Sequence, residues 1–285
     1  MSAPESTAPT HRVAVAPEAD PDPEAALGPL SIDRLAGDWR IVQRRRGHRF
    51  STDDLMTAWV AAHARPEAMR LCDLGAGIGS VGLLTLWRLR QTESQAITAT
   101  SPHLTMVEVQ AISHALARRT VTLNGADEHV TAVLGDLRDA PALGGAQRFD
   151  LVTGSPPYLP PGSAVISMDS QKAGARFELR GDVFDYCRAA ARVLDDDGVF
   201  VFCHAARDPR PEAAITAAGL ECIDRLDVTF RSDQPPLIAI WTATRRAASH
   251  RQTRTFVVRD PDGRWTDDYL AMRADMGTVV WNPVP

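Results

Sequence analysis

Cysteine is scarce in this 285-residue chain, and none of it is spaced for chemistry. Cys72, Cys187, Cys203 and Cys222 form no CxxC pair and lie in or beside apolar runs. That pattern argues against a disulfide framework or a zinc site and suits reduced, packed thiols of a cytoplasmic protein. The eight histidines include no HxxxH pair, so no metal is expected. No apolar run approaches the roughly 18 residues that span a bilayer, and the start lacks a basic-then-apolar leader. No membrane segment is expected. Lysine is nearly absent too: of 31 Lys and Arg residues, only Lys172 is lysine. Arginine suits bidentate phosphate contacts, although a compositional bias would look the same. With a net charge of −5, a polyanion would have to be met by a local patch.

What is present falls into a few blocks. Residues 1–29 are rich in Pro, Ala, Glu and Asp without a period and read as a disordered tail. Residues 30–285 read as a single domain: a basic extension and helix over 30–70, a core over 71–245 and a C-terminal extension over 246–285. In the extension, WRIVQRRRGHRF starts with strand-like residues, and Ser51 or Thr52 can cap a helix with Leu55, Trp59 and Val60 on its apolar face. From Leu71, continuous apolar runs (LCDL, LTMVEV, HVTAVL, RFDLVTG, VFVFCH) alternate with amphipathic helical segments. This alternation predicts an α/β fold with a mostly parallel sheet covered on both faces. TFVVRDPDGRWTDDYLAMRADMG reads as an extended run, a turn and a capped closing helix.

The chemistry concentrates where strands end. DLGAGIGSVG, Asp73 to Gly82, joins the first core strand to the first core helix. Its glycines allow a sharp turn and close approach of backbone to a ligand. Gly77, Gly79 and Gly82 spell GxGxxG, a weak dinucleotide signal by itself. A carboxylate at Asp73 is unwelcome beside a pyrophosphate but can pair with a ligand ammonium. The second strand ends in Glu108, placed to accept from a ribose diol, and the third in Gly135–Asp136, where Asp136 can accept from an adenine amine. Singly, each acid reads more readily as a helix cap or a solvated end than as a ligand. In series, they describe a site for S-adenosylmethionine.

The fourth strand runs into SPPY, Ser155 to Tyr158. Proline fixes φ and donates no N–H, so this is a rigid exit from the sheet. A planar amine is a poor nucleophile because its lone pair is delocalised. Ser155 Oγ and the Pro156 carbonyl can accept from its hydrogens, and Tyr158 can stack on the group that carries it. Stiffness from Pro156 and Pro157 leaves little to order when substrate arrives.

DLGAGIGSVG together with FDLVTGSPPY resembles the amino-methyltransferases with an Asn/Asp/Ser-Pro-Pro-Tyr motif, most strongly the bacterial tRNA(Val) adenine-N6 methyltransferase family. The resemblance covers roughly residues 38–276, with RRRGHRFSTDDLMTAW, AGARFELRGDVFDYCRAAARVLDDDGVFVF and WTDDYLAMRADMG as further matching segments. It implies a class I methyltransferase, Rossmann-like, with a mostly parallel seven-stranded sheet. It also implies that Asp73, Gly75, Gly77, Gly79, Glu108, Asp136 and Leu137 hold S-adenosylmethionine, that Ser155, Pro156, Pro157 and Tyr158 hold the target amine, and that tRNA is the partner. The family usually has Asn where this chain has Ser155, whose shorter side chain offers one oxygen and no amide.

Other features support two readings each. Arg44, Arg45, Arg46 and Arg49 can track RNA phosphates or form a solvated face. Arg245, Arg246, Arg251 and Arg254 are a second basic stretch, relevant if it reaches the rim of the same pocket. Residues 159–181 are long for a loop and read as a lid over substrate, with Arg176 and Phe177 facing the pocket. Asp53 approaches the methionine end of the cofactor or caps a helix. His204, Met106 and the tryptophans read as core. Competing functions are glutamine-N5 methylation of protein, a nicotinamide oxidoreductase, and an RNA-binding module without catalysis.

Overall fold

The computed structural model describes residues 27–93, 101–139, 141–145, 148–163, 165, 167–246 and 250–278. The tail expected over residues 1–29 lies outside the described residues as far as position 26. Leu27 is already buried, and its carbonyl accepts from Arg44 Nε at 2.9 Å.

Two strands, β1 (Leu30–Ala36) and β2 (Trp39–Arg44), form an antiparallel hairpin. The sequence marks strand character only from Trp39; pairing with β2 is what makes a strand of β1. Gly37 turns the hairpin with φ 53°, and its N–H donates to the Gly277 carbonyl at 2.8 Å. The Trp87 indole fills the space where a Cβ on Gly37 or Gly277 would stand, so these two glycines close over one side chain.

Then follow α1 (Thr52–Ala64), β3 (Arg70–Leu74), α2 (Ser80–Glu93), β4 (His103–Glu108), α3 (Ala111–Leu123), β5 (Val130–Leu134), β6 (Phe149–Gly154), α4 (Ser170–Arg176), α5 (Val183–Val193), β7 (Leu194–Ala205), α6 (Arg210–Ala217), β8 (Glu221–Thr229), β9 (Ile238–Thr244), β10 (Gln252–Val257) and α7 (Asp267–Asp275). The main sheet has the order β10-β8-β9-β7-β6-β3-β4-β5, and only β9 runs against its neighbours. It has eight strands where seven were expected. The addition is β10, whose mostly exposed residues carry no buried-strand signal and which pairs in parallel with β8 at the sheet edge.

The continuous apolar strands are buried on both faces, as parallel strands must be. On β7, Val199, Val201 and Cys203 face the core beneath α1 and α2, while Phe200 and Phe202 face the core beneath α5 and α6. Phe202 stacks on Phe200 at 4.8 Å and on Trp241 of β9 at 5.6 Å between centroids. Truncating such a ring to alanine costs about 3–5 kcal/mol. Strands β3 to β7 are parallel, so their carboxyl ends share one edge of the sheet, where open α/β sheets bind ligands.

Candidate active site

At that edge lies a cleft bordered by the loops after β3, β4, β5 and β6, by the first turn of α1 and by α4. Gly75 and Gly77 have φ of 59° and 58°. A Cβ on Gly75 would fall 1.9 Å from the Tyr186 hydroxyl, so only glycine fits there. At Gly77 a Cβ would meet nothing within 4 Å, and its backbone borders open cleft.

Three buried carboxyl groups line this space. Asp73 Oδ2 accepts the Gly82 N–H at 2.9 Å and Oδ1 accepts Thr153 Oγ1–H at 2.8 Å. Glu108 Oε2 accepts the Gly77 N–H at 2.8 Å and Oε1 the Gln110 N–H at 2.7 Å. The third, Asp54, accepts the Ser51 N–H at 2.9 Å and a hydrogen bond from Ser80. Burial pushes Asp73 up to about 6 and raises Glu108. Burial, with the neighbouring Asp53 charge, pushes Asp54 up to about 7. Such shifts mean that the ionised forms lack compensation in the protein itself. Arg180, also on the cleft wall, is the cation that favours the charge on Glu108. Asp54 carries no sequence signal of its own. The reading centred on Asp53, one residue earlier on the helix and roughly 100° around it.

Asp136 is paired within its own loop. Its carboxylate is held by Arg138, with Nε at 2.9 Å and 3.0 Å from its two oxygens, and these hydrogen bonds lower its pKa. It does not line the cleft, although Gly135 and Leu137 on either side do. Gly79 packs beneath the loop, its Cβ direction facing Leu83 and the Met106 sulfur.

At the end of β6, Ser155 and Pro157 line the cleft, and Ser155 Oγ is buried with no hydrogen-bond partner. Tyr158, expected to stack on the group that carries the amine, follows directly on Pro157 and is half-buried. The hydroxyl donates to Asp53 Oδ2 at 3.2 Å and lies 3.7 Å from Cys203 Sγ, and the ring sits edge-on to His204 at 5.2 Å. His204 is fully buried, and burial pushes it down to about 4. Sequence reasoning missed Arg210, which pairs with Asp208 and Glu178 at 2.6 and 2.8 Å and reaches the Tyr158 carbonyl at 3.5 Å.

The long segment 159–181 contains α4, capped by Asp169, which accepts the Lys172 N–H at 3.0 Å. Gln171 docks this helix: its Nε2 donates to Ser113 Oγ at 3.3 Å and its Oε1 accepts the His48 N–H at 3.2 Å. Gly174, Ala175, Arg180 and Gly181 face the cleft. Arg176 and Phe177 do not. Phe177 is buried beside Leu159, and Arg176 is exposed on the outside of the short helix.

The basic segment divides. Arg44 pairs with Asp169 at 3.0 Å and Arg49 with Asp33 at 2.9 Å, which leaves Arg45 and Arg46 exposed. The second basic stretch is away from the cleft. Thr244 pairs with Val199, at the amino end of the parallel strands, so Arg245 and Arg246 leave the sheet at the edge opposite the site. Arg245 bonds the Leu194 carbonyl, while Arg246, Arg251 and Arg254 pair with Asp197, Glu212 and Asp224.

A mostly parallel sheet with one antiparallel strand, a glycine loop after β3 and an acid at the end of β4 define a class I methyltransferase fold. A solved structure described as a predicted O-methyltransferase from Agrobacterium tumefaciens matches 81% of this chain and all of its own, at a TM-score of 0.55 and 18% identity. No family model matches the chain. Among curated proteins, the chain is similar to the tRNA1(Val) (adenine(37)-N6)-methyltransferase of Serratia proteamaculans, at 25% identity over 82% of this chain and 85% of the relative. It is also similar to the protein of that name in Porphyromonas gingivalis W83, at 29% identity over 79% and 86%. The likeness suggested by the motifs thus extends over most of the chain.

Proposed function

We propose that this protein transfers a methyl group from S-adenosylmethionine to an exocyclic amine, adenine N6 in a tRNA. One observation carries the reading: the Ser155 hydroxyl is buried, unpartnered and placed at a proline-stiffened strand end, in a cleft that also holds three buried acids. A buried acceptor without a donor is costly unless a ligand provides one.

The residues fit the cofactor. Asp73 and Asp54 offer negative charge to an ammonium and a sulfonium, and Gly77 leaves space beside its backbone. Each Glu108 oxygen accepts one backbone N–H and keeps a lone pair for a ribose hydroxyl. Bound there, S-adenosylmethionine supplies an activated methyl group on a sulfur that departs as a neutral thioether. Ser155 Oγ and the Pro156 carbonyl accept from the two amine hydrogens, which turns the nitrogen lone pair out of conjugation. Pro156 and Pro157 hold that geometry in advance, so the chain contributes orientation more than proton transfer. A nicotinamide dinucleotide suits the site poorly, because its pyrophosphate would face the same acids.

The RNA reading is supported by the relatives' names and by cations on and beside α4. Among the described residues Lys172 and Arg176 of α4 make no ion pair; their charges reach His48 in the cleft wall, and Arg45 and Arg46 are exposed just after β2. The test is radiolabelled methyl transfer to bulk tRNA, protein extract and DNA in parallel, with nucleoside analysis of the product. N6-methyladenosine in tRNA is expected. Label in the protein fraction alone would instead favour glutamine methylation.

A further inference from the structure

Helix α4 is seven residues long, yet it is fastened to three separate parts of the site. At its start, Asp169 pairs with Arg44 of the hairpin at 3.0 Å. At its end, the Arg176 carbonyl accepts the Leu159 N–H at 3.1 Å, and the Glu178 N–H donates to the Leu159 carbonyl at 3.0 Å. The helix is thereby pinned to the residue that follows Tyr158. Along its length, Gly174 approaches Gln110 so closely that a Cβ would fall 2.7 Å from Gln110 Oε1. Gln110 in turn gives its own N–H to Glu108 at 2.7 Å.

Gln171 joins these contacts. It is 1% exposed, and its amide is bonded at both ends. Oε1 accepts the His48 N–H at 3.2 Å and Arg44 Nη1–H at 3.5 Å, while Nε2 donates to Ser113 Oγ at 3.3 Å. The orientation is forced, because a backbone N–H and a guanidinium only donate, whereas a hydroxyl also accepts. One side chain of α4 therefore holds the segment after β2 on one side and α3 on the other. A buried amide bonded in this way specifies one arrangement of the helix.

We infer that Gln171 is a positioning residue: by holding α4 on α3, it couples the cofactor side of the cleft to the amine side. This inference rests on the methyl-transfer reading above. Glu108 and Ser113 border the cleft from one wall, Gly174 and Ala175 from α4, and Ser155 and Pro157 from the turn that Leu159 continues. A ligand that fills the cleft against Glu108 meets α3 and α4 together and favours the docked helix. The docked helix fixes Leu159 and, through it, the turn. Such coupling is reciprocal, so each ligand tightens the other.

The experiment compares wild type with Gln171→Met, which keeps the length without the hydrogen bonds, and Gln171→Glu, whose carboxyl still accepts from His48 N–H and bonds Ser113. S-adenosylhomocysteine, the demethylated cofactor, and tRNA are titrated by calorimetry, each alone and with the other present. Hydrogen exchange of α4 is followed with and without S-adenosylhomocysteine, and circular dichroism verifies folding. In wild type, S-adenosylhomocysteine should tighten tRNA binding about 5- to 30-fold, within the range usual for coupled sites, and slow exchange in α4. In Gln171→Met the factor should fall below about twofold and the protection of α4 should vanish, while Gln171→Glu should keep most of both. Ser113→Ala, which removes only the α3 bond, should lower the factor about threefold and carries the test if Gln171→Met does not fold. A wild-type factor of one, a factor unchanged in Gln171→Met or in Ser113→Ala, or equal loss in Gln171→Met and Gln171→Glu overturns the assignment. If tRNA is not methylated but the protection of α4 still depends on Gln171, the RNA reading fails and the positioning role of Gln171 stands.

Discussion

The Tyr158 hydroxyl donates to Asp53 Oδ2 at 3.2 Å, tying the turn after β6 to the first turn of α1. Two regions separated by 105 positions are joined at the place where the amine is proposed to sit. If Tyr158 acts as this anchor, Tyr158→Phe should lose about 1 kcal/mol of stability, the typical value of such a bond. Its cofactor affinity should be nearly unchanged. Tyr158→Ala should lower turnover far more than cofactor affinity, because the turn loses its support. Denaturant melts and calorimetry on both variants provide the check; equal loss of turnover and affinity in Tyr158→Ala would contradict it.

Asp54 and Asp73, at about 7 and about 6, sit above their ordinary value of 3.8. Between those limits the folded protein holds protons that the unfolded chain has released. Their contribution therefore destabilises the ligand-free protein as pH rises from about 4 to 7. A cationic ligand reverses the preference and drives the protons off. Affinity for S-adenosylmethionine should rise across pH 5.5 to 7.5, with proton release visible as buffer-dependent heats in calorimetry. Asp54→Asn should reduce that release. A flat profile would remove Asp54 from the binding site. The acids with lowered pKa, such as Asp136 and Asp150, lose charge below this window and do not contribute to it.

Glu108 fastens two backbone N–H groups, Gly77 and Gln110, and faces the cleft. Glu108→Ala should weaken cofactor binding by at least about tenfold, given the roughly 1.5–3 kcal/mol of a hydrogen bond to a charged group. Glu108→Gln, with one oxygen retained, should fall between. Titration of both variants, with circular dichroism to verify folding, decides whether the ribose assignment stands.

Salt dependence separates the cations. Replacing Lys172 and Arg176 together by alanine should raise the tRNA KM and flatten the log–log salt slope by about 1.5, at roughly 0.7–0.9 per phosphate contact. Arg245→Ala with Arg251→Ala should leave the slope unchanged, since both residues lie away from the cleft and already hold partners. The reverse result would move the RNA to the other edge of the sheet.

Strand and helix alternation, the glycine loop and the order of the acids along the chain were legible in sequence because each is a local pattern. β7 shows how: its alternate side chains feed two cores, so the strand is a continuous apolar run that one segment displays alone. β1 and β10 were not legible as strands, since their identity comes from pairing with β2 and β8. The arginines were countable, but their availability was not. Arg44 meets Asp169 and Arg254 meets Asp224 only after the chain has folded.

The sequence by itself determined that a glycine turn, strand-end acids and a proline-stiffened exit follow successive core strands, because steric limits on φ and burial of apolar runs act over a few residues. Tertiary structure alone decided which groups meet. It turned Tyr158 to Asp53 and Asp136 to Arg138, and it brought Asp54 and His48 to the cleft. Those outcomes depend on where a side chain finds its partner across the sheet edge, and no local rule carries that information.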